Sequence, residues 1–418
     1  MKLIKGDIVY SSDRRELLEF RDSYLGFEGD RIRGIFKELP EGEHEVIDRT
    51  GSLVIPGLVD LHLHAPQYQY AGLYMDEELL EWLEKHTFPI EARYSDIAFA
   101  EKAYEIFAED LRLSETTRIS AFATIHKDST LLLMRKLSEK GLRGYVGKVN
   151  MDRNSPEYLC ETTEQSLADT ESYIRESEGI EGIRPIITPR FTPSCTDRLE
   201  EGLGRIARKY NLPIQTHLDE NLDEIAWVKE LCPWSRHYSD AYDRFGLFGD
   251  TPTIMAHVVW PNDDEVALMK EKGIYIAHSP SSNGNIASGI APVRRYLDEG
   301  IHVGLATDVA GGSTLSLFRI MTEAIEQSKI RWRLQNRYYK PITFADGFYM
   351  ATRGGGEFFG KVGAFDEGFD ADILVIDTSK LRTVLYDELT PAERLELYSH
   401  RHPGEFITDK YIAGEKII

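Results

Sequence analysis

Short apolar runs of strand length recur through the middle of the chain, and between them apolar positions return at helical spacing. The runs cover residues 55–64, 118–126, 144–149, 184–191, 213–217, 253–257, 274–278 and 302–308. Helical patterns fill most of the intervals, as at 197–210 and 262–272. Strands alternating with helices predict an α/β fold with a parallel sheet, and eight such units in roughly 300 residues predict a (β/α)₈ TIM barrel over 56–363. The two ends read differently. They hold short alternating segments broken by glycine and charge, as at 25–35, 368–377 and 411–418. That pattern predicts one small β-sandwich domain built from residues 1–55 plus 364–418.

Composition narrows the partners more than the fold. At 418 residues, with 42% hydrophobic and 28% charged positions, the chain can bury a sizeable core and is unlike a disordered one. Its formal net charge of −21, from 49 basic and 70 acidic residues, argues against nucleic acid and anionic membranes as partners. The opening residues are not followed by an apolar core of signal-peptide length, and no run approaches a membrane span, so a cytoplasmic location is expected. Cys160, Cys195 and Cys232 show no C-x-x-C spacing, which indicates neither a disulfide framework nor a cysteine-rich zinc site.

The candidate chemistry sits where the apolar runs end. On a strand, His62 and His64 share one face and can offer two imidazoles to one ion, while Leu61 and Leu63 face the other way. The other runs end in His126, Arg190-Phe191, His217, His257, His278 and Asp308. In a (β/α)₈ barrel, reacting groups lie at the C-terminal ends of the strands. His62, His64, His217 and Asp308 would supply the three or four nitrogen and oxygen ligands of a catalytic zinc, which lowers the pKa of its water to near 7. Glu220, three residues past His217, reaches the same pocket as a general acid and base. Asp308 would combine ligation with orienting or deprotonating the attacking water, and His257 would polarise that water or serve as a further ligand. Arg190 is a planar fork of donors, Phe191 an aromatic face and Gln67 an amide; together they suit a flat lactam ring. The long connection over 65–117 reads as a lid or pocket wall.

The run Pro56-Gly57-Leu58-Val59-Asp60-Leu61-His62-Leu63-His64-Ala65-Pro66-Gln67-Tyr68, with Leu79-Leu80-Glu81-Trp82-Leu83 and Thr87-Phe88-Pro89, resembles the first motif block of the guanine deaminases in the amidohydrolase superfamily. Further blocks resemble that family at 122–129, 145–152, 188–191, 216–221, 277–283 and 304–312. The resemblance implies a single zinc or iron on His62, His64, His217 and Asp308, and deamination of guanine at C2 to xanthine and ammonia. It also implies a small-molecule purine substrate, with Arg190 on the purine O6, Phe191 packed beside it and Gln67 binding substrate, in a homodimer. Binuclear relatives carry a carboxylated lysine on the fourth strand. Here that strand ends in Arg190, whose charge would repel a second cation, and Lys148 falls on the third.

Departures from the family pattern at Val258, Ser279, Ser281 and 284–289 leave the metal chemistry intact and open the exact substrate. Another aminopurine, a cytosine-like base or an aminotriazine is the alternative, and a metal-free scaffold of the same fold is the alternative from another class. His126 and His278 read as hydrogen-bonded structural histidines rather than pocket groups. The zinc deaminases with H-x-E and P-C-x-x-C are excluded by the cysteine pattern.

Overall fold

A computed structural model describes residues 1–418. Eight parallel barrel strands run Leu58–His64, Thr116–Phe122, Arg143–Gly147, Ile183–Pro185, Ile214–Leu218, Thr253–His257, Tyr275–His278 and His302–Leu305. They pair as two four-stranded sheets that close on each other. Ile187 N donates to Pro213 O at 3.0 Å and Gln215 N to Ile187 O at 2.9 Å, joining the fourth strand to the fifth. Asp308 N donates to His62 O at 2.9 Å and His64 N to Val309 O at 3.0 Å, joining the eighth to the first. The ring is therefore complete, and the (β/α)₈ barrel is the fold.

Several strands are shorter than the apolar pattern predicts. The second ends at Phe122, because Thr124 Oγ1 takes the His126 amide at 3.1 Å and starts the helix Lys127–Glu139. The fourth is broken into Ile183–Pro185 and Thr188–Pro189 after Pro185, which cannot donate to a ladder. The first strand carries a bulge: Asp60 pairs with Ile119 but Leu63 with Ala121, so three steps on one strand face two on the other. That extra residue corrects the expected alternation. Leu61 joins Val59, Ile186, Ile254, Ala256, Ala277 and Ala306 in one cluster of strand side chains, whereas Leu63 joins the larger core shared with the helices.

The helices pack by their own signals. Ile97–Leu113 is capped by Asp96 and buries Ala100, Ala103, Tyr104, Phe107, Ala108 and Leu111 on one stripe. Asp197–Tyr210 starts at Thr196, and Asp263–Lys272 starts in a capping box of Asn262 and Glu265.

Both chain ends build one seven-stranded sheet. Its order is Glu415–Lys416, Ile407–Ile412, Ile373–Ile376, Glu45–Pro56, Lys2–Ser11, Leu17–Glu28, Arg31–Phe36. Ile4, Ile8, Phe27, Val54, Val375 and Tyr411 share its core. Arg118 of the second barrel strand ties it to the barrel, with Nε on Asp372 Oδ2 at 2.6 Å and Nη2 on Asp370 Oδ2 at 2.8 Å. The chain passes from sheet to barrel at Gly57, where a Cβ would lie 2.2 Å from Thr117 Cγ2, so only glycine fits this crossing.

Candidate active site

The first strand delivers His62 and His64 to the C-terminal mouth of the barrel, held from below by Asp60. That carboxylate accepts from His62 N at 3.2 Å, Thr307 N at 3.0 Å and Thr307 Oγ1 at 2.5 Å. It thereby fixes the turn carrying Asp308 against the strand carrying the histidines. Burial raises its pKa to about 7, against the opposing pull of the Thr307 hydrogen bonds.

His217 and His257 are each fixed through one ring nitrogen. His217 Nδ1 lies 2.6 Å from Arg190 O, and His257 Nδ1 lies 2.9 Å from Asn283 Oδ1, so both Nε2 atoms are left for the centre. There His64 Nε2 lies 3.2 Å from His217 Nε2, and Asp308 Oδ1 lies 3.0 Å from His62 Nε2 and 3.5 Å from His64 Nε2. His257 Nε2 lies 3.8 Å from Asp308 Oδ2. Donor atoms of His62, His64 and His217, and of His62, His257 and Asp308, each fall within 4.8 Å of one another. Asp219, His257, Val258 and Asp308 hold left-handed backbone with φ of 51°, 72°, 47° and 46°, local strain concentrated where these side chains are aimed.

The electrostatics suit a cation. His62 Nε2, His64 Nδ1 and His257 Nε2 are buried without a hydrogen-bond partner. Burial, with the neighbouring imidazoles, holds His64 and His217 well below the usual histidine range, and His257 falls to about 4, so all three imidazoles are neutral at pH 7. Burial opposes ionisation of Asp308, but His62, His257 and the Ser282 hydroxyl together keep that carboxylate below its ordinary value. Neutral imidazoles, one carboxylate and orphaned nitrogens fit a divalent metal ion.

Glu220 stands beside this cluster, with Oε2 3.4 Å from His257 Nε2 and Oε1 accepting from Ser288 Oγ at 3.4 Å. Its backbone is clamped by a helix cap. Glu224, in the capping box that starts Leu222–Leu231, accepts from Glu220 N at 3.0 Å. Burial first, then repulsion from Asp308 and Glu224, lifts the Glu220 carboxyl well above the carboxylate range, which suits an acid that must hold a proton near neutrality.

Gln67, Arg190 and Phe191 line the same pocket, together with Leu79, Trp82, Leu83 and Ile286. The 65–117 connection therefore forms a wall of the pocket through Gln67 and the short helical turn that carries Leu79, Trp82 and Leu83. Arg190 does not stand alone: Nη1 and Nη2 donate to Glu91 Oε2 and Oε1 at 2.6 and 3.1 Å. The pairing offsets part of the guanidinium charge, which still helps to lower the pKa of His64 and His217. Lys148 is instead spoken for by Glu161, at 2.8 Å in a buried pair.

The structure thus brings His64, Gln67, Arg190, Phe191, His217, Glu220, His257 and Asp308 around one pocket, with His62 at its floor. It leaves out His126, which faces a separate cleft with Lys127 and Glu161. His278 is buried, and burial and His257 lower its pKa to about 3; neither ring nitrogen has a hydrogen-bond partner, contrary to expectation. Asp60, which bonds Thr307, Glu91, which bonds Arg190 and Gln67, and Asn283, which bonds His257, are buried groups that sequence reasoning missed.

Comparison with known proteins bears on what this arrangement does. Residues 53–399 match the model of the amidohydrolase family. The guanine deaminase of Dictyostelium discoideum is 34% identical over 100% of this chain and 98% of its own length. Among solved structures, a guanine deaminase from C. acetobutylicum, with guanine bound in its active site, superposes with a TM-score of 0.97 at 43% identity, covering 100% of both chains. The E. coli guanine deaminase superposes with a TM-score of 0.91 at 30% identity, covering 100% of this chain and 99% of that one.

Proposed function

The chain belongs to the amidohydrolase family, and from that premise we propose that it is a zinc-dependent guanine deaminase, converting guanine and water to xanthine and ammonia. The observation that carries this reading is one pocket in which a buried guanidinium and amide, Arg190 and Gln67, face a buried carboxyl, Glu220, beside a cation-ready cluster.

His62, His64, His217 and Asp308 would hold one zinc per subunit, and His257 would act as a further ligand or polarise the attacking water. When bound, the ion supplies Lewis-acid activation of that water. The remaining work falls to the chain's own groups. Arg190 donates to the ring carbonyl oxygen, Gln67 reads the neighbouring edge, and Phe191 packs against the ring. Asp308 orients the water and takes its proton as oxygen adds to C2. Glu220 gives its proton to the adjacent ring nitrogen; the proton taken by Asp308 then passes to the exocyclic amine, and the hydroxyl proton of the added oxygen returns to Glu220 as the C–N bond breaks and ammonia leaves. Leu79, Trp82, Leu83 and Ile286 keep bulk water from the reacting atoms.

Homodimerisation and a cytoplasmic location belong to the same reading; sedimentation and cell fractionation test them. The function is tested by ammonia release from zinc-loaded protein given guanine, adenine, cytosine and an aminotriazine. Guanine turnover well above the others is expected. Preference for another ring would keep the metal chemistry and move the error to the Gln67 and Arg190 wall. No turnover on any ring by protein that retains zinc would overturn the assignment.

A further inference from the structure

Glu91 lies behind the pocket wall, 1% exposed, and touches none of the cluster that would hold the ion. Its carboxylate nevertheless engages both polar groups that face the ring. Oε2 takes Arg190 Nη1 at 2.6 Å; Oε1 takes Arg190 Nη2 at 3.1 Å and Gln67 Nε2 at 2.8 Å. Arg190 and Gln67 are themselves 3% and 1% exposed.

We infer that Glu91 is a positioning residue that sets the donor and acceptor pattern of the pocket wall and thereby selects a ring with a carbonyl oxygen; this rests on the guanine reading above. An ionised carboxylate only accepts hydrogen bonds. Facing Glu91, Gln67 must therefore turn its NH₂ backwards and keep its oxygen forward, where Ala310 N approaches that oxygen at 3.4 Å. The same carboxylate fixes the guanidinium plane through two parallel bonds; Nη1 also meets Met151 Sδ at 3.9 Å, which leaves Nη2 and Nε to offer donors to substrate. Arg190 Cζ sits 5.1 Å over the Phe88 ring, in the same short helix as Glu91, so this helix holds the fork from two sides. A buried site built to bond a particular polar group rejects analogues lacking it far more strongly than an apolar pocket rejects a missing methylene.

An amide at position 91 both donates and accepts, so it frees Gln67 to flip and loosens the fork without changing the volume of the wall. The test compares wild type, Glu91→Gln and Glu91→Asp on guanine and on 2-aminopurine, which carries the same amine at C2 and no oxygen at C6. Zinc content and xanthine affinity are measured alongside. Glu91→Gln is expected to keep its zinc, raise KM for guanine and lower kcat/KM by about tenfold or more, with less than about threefold change on 2-aminopurine. Xanthine affinity falls with guanine, and Glu91→Asp lies between. Should Glu91→Gln fail to fold, the guanine to 2-aminopurine ratio of Glu91→Asp decides; should 2-aminopurine turn over too slowly, xanthine affinity decides. Equal loss on both substrates, or unchanged xanthine affinity, overturns the assignment. A wild type that prefers guanine with an unchanged ratio in the variants removes only the role of Glu91, whereas a wild type inactive on guanine removes the proposed function and this inference with it.

Discussion

The two polar walls of the pocket differ in what completes them. In the wall of Glu91, Arg190 and Gln67, the carboxylate is satisfied by protein donors, and the group is formed before anything binds. In the wall of His62, His64, His217, His257 and Asp308, buried ring nitrogens stand without partners. A buried polar group left unpaired costs about 1–3 kcal/mol, so the second wall is stable in its own geometry only when something outside the polypeptide joins it. One wall is a template, the other a socket.

Emptying the socket should produce the largest effect. His217→Ala removes one of the proposed ligands and is expected to lose zinc and all measurable turnover, by metal analysis and ammonia release. Saturating zinc at about a thousand times its Kd should add about 4 kcal/mol to wild-type stability and nothing comparable to His217→Ala. Equal zinc-induced shifts in Tm for the two proteins would show that His217 is no ligand.

Glu220→Gln probes the group standing between the walls. It should keep its zinc and lose about 10²–10⁴-fold in turnover, the usual range for a positioned general acid. Unchanged turnover at full metal loading would remove Glu220 from the proton transfers.

How much of this was legible depends on how far apart the partners lie in the chain. His62, His64, His217 and Asp308 stood out because chelating side chains interrupt apolar runs at the ends of strands, a break visible within a few residues. Glu91 did not, since it sits in an aperiodic connection and meets Arg190 across 99 positions. Asp60 shares the strand of the two histidines, yet its partner Thr307 lies 247 positions away. The inward turn of Leu61 depends on a bulge defined only by pairing with the second strand, which no one-strand pattern records. The second strand ends earlier than its apolar run implies for a local reason. The apolar run continues past Phe122, but the Thr124 hydroxyl captures the His126 amide and ends the strand first.

Asn283 offers a smaller perturbation of the socket. Its Oδ1 holds His257 Nδ1 at 2.9 Å and touches no reacting atom. Asn283→Ala should cost about 10–100-fold in metal affinity or activity, as for other groups that orient a metal-site histidine. Asn283→Asp, which keeps the acceptor, should recover much of the loss. Failure of Asp to rescue would mean that Asn283 serves packing alone.

The smallest effect is expected behind the template wall, at Glu200. It lies in the helix Asp197–Tyr210, is buried, and has one side-chain hydrogen bond, from Thr192 Oγ1 at 3.0 Å, just past Phe191. Burial raises its pKa to about 8, above the ordinary value of about 4.3 that the unfolded chain retains. Between these values the folded protein keeps a proton that the unfolded chain releases, so the contribution of this group to stability is complete below about pH 4.3 and declines as pH rises towards 8. Asp60 and Glu224, both raised to about 7, tilt stability in the same direction. Glu200→Gln keeps an acceptor for Thr192 and does not titrate. Its Tm should therefore fall less than that of wild type between pH 5 and 8, with a residual slope from the other raised carboxyls, Glu220 among them, and no change in turnover at pH 7. Parallel Tm curves for the two proteins would mean that Glu200 ionises normally in the fold and that the region behind Phe191 admits water.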